Sequence, residues 1–188
     1  MDQFARVIVG YHGCTEGFAK DLLSGKKPIR DWQPSTNDWD WLGNGIYFWE
    51  HAPARALRWA RERFRTPRQR PAVVGAYIQL GRCFDLLDEP ITALLGETYE
   101  QMARDCAKMG AVLPSNRGRE DKLRELDCLI INSCIEDERA WGIHFDTVRG
   151  AFLEGVPAFP GAGFSRESHI QVAVRNGACI LGVFRPNI

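Results

Sequence analysis

Net charge of either sign, long apolar runs and paired cysteines are all missing from this chain of 188 residues. Its 24 Lys and Arg cancel 24 Asp and Glu, so overall charge selects no polyanionic or polycationic partner. No stretch approaches the roughly 18–20 apolar residues that a bilayer-spanning helix needs. The opening "MDQFARVIVG" has no basic leader and only a short apolar run, so it does not read as a signal peptide. The expected setting is cytoplasmic with no membrane partner, and leaderless export as an effector is the other route such a chain could take. Six cysteines (Cys14, Cys83, Cys106, Cys128, Cys134 and Cys179) include no C-x-x-C pair and no histidine at ligand spacing. They read as buried free thiols, and no metal is expected. Internal repeats and low-complexity tracts are absent too. "GNGIYF" at residues 43–48 lacks the third glycine of a dinucleotide fingerprint and leads into a strand where that fingerprint opens a helix. That disfavours a nicotinamide-dependent oxidoreductase.

What is present suits one globular domain over residues 1–188, with 45% hydrophobic residues to form its core. Residues 6–11 form a β-branched run leading into the turn-like "HGCTEG", and residues 15–23 read as a helix with Thr15 as N-cap and Ser24-Gly25 as its stop. A long Pro/Asn/Asp/Gly loop follows, and it carries Trp32, Trp39 and Trp41, an unusual load for a merely solvated connection. "IYFWE" reads as a strand and "PARALRWARERF" as a helix with Pro53 in its first turn. "PAVVGAYIQLG" is a longer strand, and residues about 90–140 form a helical insertion without an assigned role. The last third returns to strands at "DTVRGAF", "SHIQVAVRN" and "CILGVFRP", with a Pro/Gly loop at residues 156–166. Strands at both ends and helices between them, without regular βαβ alternation, favour an α+β fold.

Period-2 alternation then assigns faces. Ile170, Val172 and Val174 point to the core, which turns His169, Gln171, Ala173 and Arg175 the other way, and Glu167 joins them if the strand begins early. In the same manner Ile46 and Phe48 share a core face and leave Tyr47 and Trp49 opposite. Taken singly, His12 could cap a turn, Tyr47 could be core and the glycines could be turn makers.

Their order carries more. "YHGCT" at residues 11–15, "GNGIYF" some thirty residues on, and a polar residue on a late strand after a Pro/Gly loop resemble the ADP-ribosyltransferase superfamily. The branch is the His-Tyr-Glu type related to poly(ADP-ribose) polymerases and diphtheria toxin, here as a small bacterial-type single-domain member. The resemblance spans most of residues 7–60 and again 148–185. It implies two packed, mostly antiparallel sheets with peripheral helices around an NAD cleft, and NAD as substrate. It also implies a binding set of Tyr11, His12, Gly13, Thr15, Gly43, Gly45 and Tyr47, in which His12 and Gly13 hold the ribose and carboxamide and Tyr47 stacks on nicotinamide. The chemistry agrees, because breaking the nicotinamide bond places positive charge on the ribose and releases a neutral planar ring.

The departure is at the third letter. Gln171 stands where the family pattern has glutamate, with Glu167 four residues earlier as the alternative in another register and Glu154 in "FLEG" as a third candidate. An amide accepts a hydrogen bond but supplies no negative charge, which favours single transfer over polymer synthesis. By the same resemblance, Phe159, Phe164 and Arg166 in the preceding loop meet the acceptor, although an ordinary hairpin loop would look alike. Arg55, Arg58, Arg61, Arg63, Arg65, Arg68 and Arg70 face the single acid Glu62 between residues 51 and 71. That stretch reads as a solvated face paired with the acid-rich residues 97–137, or as a contact for NAD pyrophosphate or a nucleic-acid backbone.

The expected activity is mono-ADP-ribosylation of a macromolecular acceptor, protein or nucleic acid, by a toxin, effector or phage-defence enzyme with an antitoxin or immunity partner. NAD glycohydrolase and RNA 2′-phosphotransferase activity on the same fold remain open, as does an inactive module binding NAD, ADP-ribose or nucleic acid.

Overall fold

The apolar run after Arg6 forms β1 (Val7–Thr15), and Thr15, still extended, caps α1 (Glu16–Leu23) by accepting a hydrogen bond from the Phe18 amide at 3.3 Å. The computed structural model describes residues 6–66, 68–136, 142 and 144–188. "HGCT", expected to turn, stays in the strand because β3 (Pro71–Gln79) pairs with β1 along its whole length, from Val7↔Gln79 to Thr15↔Pro71. β2 (Ile46–Glu50) and α2 (Pro53–Arg63) lie where their patterns place them, followed after β3 by the short β4 (Cys83–Asp85). The helical stretch expected at residues 90–140 resolves into α3 (Glu89–Lys108) and α4 (Glu125–Glu136), and residues 137–140 lie outside the described ones. β5 (Thr147–Phe152), β6 (His169–Val174) and β7 (Ile180–Phe184) complete a mixed α+β fold.

Two packed sheets were expected, but hydrogen bonds link the strands into one seven-stranded sheet in the order β4-β5-β6-β2-β1-β3-β7. The neighbours are antiparallel except β4 and β5. The link at its centre is narrow, since β1 and β2 pair only at Gly10↔Glu50 and Tyr11↔Trp49.

Even-numbered positions of β1, β2, β3 and β6 bury one face, with Ile8, Phe48, Val74, Ile78, Val172 and Val174 under Ala19 and Leu22 of α1 and under Trp32. The opposite face is covered in two halves. Ile131, Cys134 and Ile135 of α4 pack on Val148 and Ala173, while Ala56 and Trp59 of α2 pack near Tyr11, Trp49 and Val73. Each fully buried large apolar side chain contributes about 1.5–3 kcal/mol. All six cysteines are free, and all but Cys106 are buried. No helix among the described residues is long and apolar enough to cross a membrane.

Arg149 on β5 is buried and tied to Glu50 at 2.7 Å and Asp85 at 3.1 Å, which joins β5, β2 and β4 by charge at the edge of the first core. At the narrow link, a Cβ added to Gly10 would stand 2.8 Å from the Phe48 Cβ and 2.7 Å from Ile78 Cδ1. Gly10→Ala is therefore expected to lower stability by about 1–3 kcal/mol, read as the shift in urea unfolding midpoint. An unchanged midpoint would show that the β1–β2 junction has room to spare.

Candidate functional site

Past the two β1–β2 pairs the strands part, β1 staying with β3 and β2 staying with β6. His51 N donates to Val9 O at 3.0 Å, so odd residues of β1 turn their backbone groups toward β2. By that alternation the N–H and C=O of Gly13 face the gap beyond the last pair. The gap opens into a cleft of about 1090 Å³, at the large end for a small-molecule site. Its wall includes His12, Gly13, Thr15, Tyr47 and Gln171, the aromatic Trp39, Trp41, Trp49 and Trp59, and the cations Lys27, Arg55, Arg63 and Lys122.

His12 and Tyr47 start on opposite faces of the sheet. Parity sets His12 among Phe18, Trp32 and Phe48, with the Trp32 ring edge-on at 4.8 Å, and sets Tyr47 toward the α4 side. Where the strands part, His12 Nδ1 reaches the Tyr47 carbonyl at 2.8 Å. A carbonyl only accepts, so Nδ1 carries the hydrogen and Nε2 is the bare acceptor, with no partner among the described residues. Burial pulls the His12 pKa down to about 4, against the opposing pull of the Tyr47 carbonyl, so the ring is neutral near pH 7. The Tyr47 hydroxyl donates to Gly43 O at 2.6 Å and accepts from Leu42 N at 2.8 Å. Burial first, and Asp40 next, push its pKa well above the ordinary value, so Tyr47 offers the cleft a ring and not an acid or base.

On β6, Gln171 pairs directly across from Trp49 and is buried. His169 Nδ1 meets the Glu167 carbonyl at 2.7 Å, which leaves Nε2 to accept from the Gln171 amide at 2.9 Å. Protonating His169 would set two donors against each other, and burial lowers its pKa accordingly. Beyond β5, Glu154 is buried in the cleft wall and pairs with Arg55 and, at 3.4 Å, with Lys122. Burial alone would raise its pKa, yet the Arg55 hydrogen bond and charge, with Lys122, hold the carboxyl below its usual range.

The structure brings His12, Gly13, Thr15, Gly45, Tyr47 and Gln171 to one cleft and leaves other expected residues outside its wall. Tyr11 faces α2 and packs edge-on against Phe184. Gly43 serves a turn, with φ +71 and Asn132 Oδ1 at 2.4 Å from where a Cβ would be. Gly13 and Gly45 lack Cβ atoms for packing reasons as well, because a Cβ would meet the Ala56 carbonyl at 2.6 Å and Ala173 Cβ at 2.9 Å respectively. Glu167 turns out to pair with Arg58 at 2.8 Å, outside the cleft wall, so of the two carboxylates weighed against Gln171 only Glu154 lines it. Phe159 and Phe164 are exposed and stack edge-on on each other at 6.1 Å, and Arg166 is exposed beside them.

One reading pairs the arginine stretch with residues 97–137, but among the described residues Arg55 and Arg58 pair elsewhere. Arg55 and Arg58 instead clamp α2 to the β5–β6 connection through Glu154 and Glu167, a distance in sequence that no local pattern reveals. Arg55 lines the cleft as the pyrophosphate-contact reading of its stretch allows, while Lys122 enters it with no sequence signal. The alternation that exposed Gln171 also exposed His169. No group of three or more His, Cys, Asp or Glu among the described residues is placed to hold a metal ion. A scan against protein-family models finds no match for the chain, and a search of curated proteins finds none.

Because the folded His12 pKa lies near 4 and an unfolded histidine titrates near 6.5, the unfolded chain binds the extra proton between those values. Stability from this group is present above pH ~6.5 and lost as pH falls toward 4, a change on the order of 3 kcal/mol. His12→Asn should lose less stability than the wild type between pH 7 and pH 4.5 in urea unfolding, and equal losses would refute the assignment.

Proposed function

We propose that the chain is an NAD-dependent mono-ADP-ribosyltransferase with an ADP-ribosyltransferase-like fold, cleaving the nicotinamide–ribose bond and transferring ADP-ribose to a macromolecular acceptor. The observation that carries this reading is the convergence of His12, Gly13, Tyr47 and Gln171 on one aromatic-walled cleft where β1 and β2 part.

Each group suits a part of that substrate. The unpaired backbone edge at Gly13 can exchange both hydrogen bonds with a carboxamide, and the Tyr47 ring can stack on the pyridine. His12 Nε2, neutral and facing the cleft, accepts from a ribose hydroxyl, as does the Gln171 carbonyl oxygen once its amide is committed to His169. Arg55, Arg63 and Lys122 offer charge for the diphosphate. The exposed pair Phe159 and Phe164, with Arg166, forms a surface on the β5–β6 connection where an acceptor, or an antitoxin-like partner, could dock.

The test is incubation with NAD labelled on the adenylate, following nicotinamide release together with label on protein, DNA and RNA. Release with label on one polymer is expected. Release without label on any polymer would make water the acceptor, and no release at any enzyme concentration would remove NAD cleavage altogether. His12→Ala and Tyr47→Ala should each cut release by about 100-fold or more. Wild-type rates in both would show that the reacting bond lies elsewhere.

A further inference from the structure

Position 171 is neutral, yet the cleft wall contains three carboxylates, Asp40, Glu62 and Glu154, of which only Glu154 is buried. Glu154, two residues beyond β5, is 8% exposed and lines the same wall as Gln171. Its Oε2 is engaged by Arg55 and lies 3.6 Å from His169 Nδ1. Its Oε1 is buried, 3.4 Å from Lys122 Nζ, and accepts no hydrogen bond. That oxygen therefore has an ion-pair partner in Lys122 but no well-directed hydrogen bond, so it can still turn its charge toward a cationic group brought into the cleft.

We propose that Glu154 is a catalytic residue of the NAD-cleaving reaction, supplying from the end of β5 the negative charge that Gln171 on β6 cannot supply. This rests on the reading of the cleft as an NAD site. In the reaction the bond between ribose C1′ and the pyridine nitrogen breaks, and its electron pair leaves with nicotinamide, which becomes neutral. The positive charge passes to C1′ and the ring oxygen of the ribose. The acceptor's lone pair then bonds C1′, and the acceptor's proton goes to solvent.

Glu154 acts as an electrostatic partner of the cationic ribose and not as the base, because Arg55 and Lys122 keep it ionised and weakly basic. Arg55 and Lys122 would offset the carboxylate if they stayed unopposed. The diphosphate of a dinucleotide brings two negative charges against those two cations, which leaves the Glu154 charge for the ribose. Gln171 keeps a separate task, since its amide is held by His169 and its carbonyl oxygen is left to orient a hydroxyl.

Three proteins test this: wild type, E154Q and E154Q/Q171E. NAD binding is read by quenching of the cleft tryptophans, among them Trp49 and Trp59. Turnover is read as nicotinamide release at saturating NAD, and folding by thermal melting. E154Q should bind NAD within about threefold of wild type while kcat falls about 100-fold or more. Q171E added to E154Q should return at least about tenfold of that loss, because the carboxylate is then supplied from the neighbouring strand, a recovery that a purely structural role for Glu154 would not give.

If E154Q melts early with Arg55 left unpaired, the same comparison is made between R55M/E154Q and R55M/E154Q/Q171E, where the buried pair is removed together. Wild-type kcat in E154Q, or no recovery on adding Q171E in a folded background, overturns the proposal while the transferase reading stands. No nicotinamide release by the wild type removes both.

Discussion

Everything in the candidate site depends on a backbone ladder that stops early. β1 and β2 share two residue pairs and then separate, each held by its other neighbour: β1 by nine register pairs with β3, β2 by β6. Sheets normally satisfy every interior N–H and C=O, so a gap between two central strands must be filled by side chains, water or ligand. Here one side chain, His12, crosses to the Tyr47 carbonyl, and the remaining edge at Gly13 opens into the cleft. α2 packs directly on this edge of β1, because its Ala56 carbonyl occupies the space a Cβ on Gly13 would need.

Charge organises the rim in a second layer. Arg55 and Arg58 reach from α2 to Glu154 and Glu167, and so fasten the helix that backs β1 and β2 to the connection that leads into β6. The two pairs differ in kind. Arg58–Glu167 is partly solvated and worth about 0–1 kcal/mol, whereas Arg55–Glu154 is buried, and losing one partner there leaves an uncompensated charge. The chain's zero net charge thus conceals local arrangements in which cations and carboxylates are set against each other at a cavity.

Much of the secondary structure was legible because it rests on short-range rules. Thr15 at the head of α1, Pro53 in the first turn of α2 and the alternation in "HIQVAVRN" each follow from neighbours within a few residues. The same alternation correctly turned Tyr47 and Gln171 away from Phe48 and Val172. What it misjudged were contacts over long separations. "HGCT" reads as a turn until β3 supplies a partner for it, and the packing that Gly13 and Gly45 make against helix and strand, in addition to any ligand approach, has no local signal.

By itself the sequence determined the α+β class, the course of the strands and helices, and which side chains of β2 and β6 face away from the main core, since periodicity and capping are local properties of the chain. Only the tertiary structure decided that His12, on one face of the sheet, and Tyr47 and Gln171, on the other, line a single cleft. Parity alone would separate them, and it is the parting of β1 from β2 that lets them meet. The tertiary structure likewise decided which of Glu154 and Glu167 enters the cleft. Glu154 and Glu167 are equally acidic in sequence, but Arg58 holds one at the rim while Arg55 and Lys122 hold the other in the cavity wall.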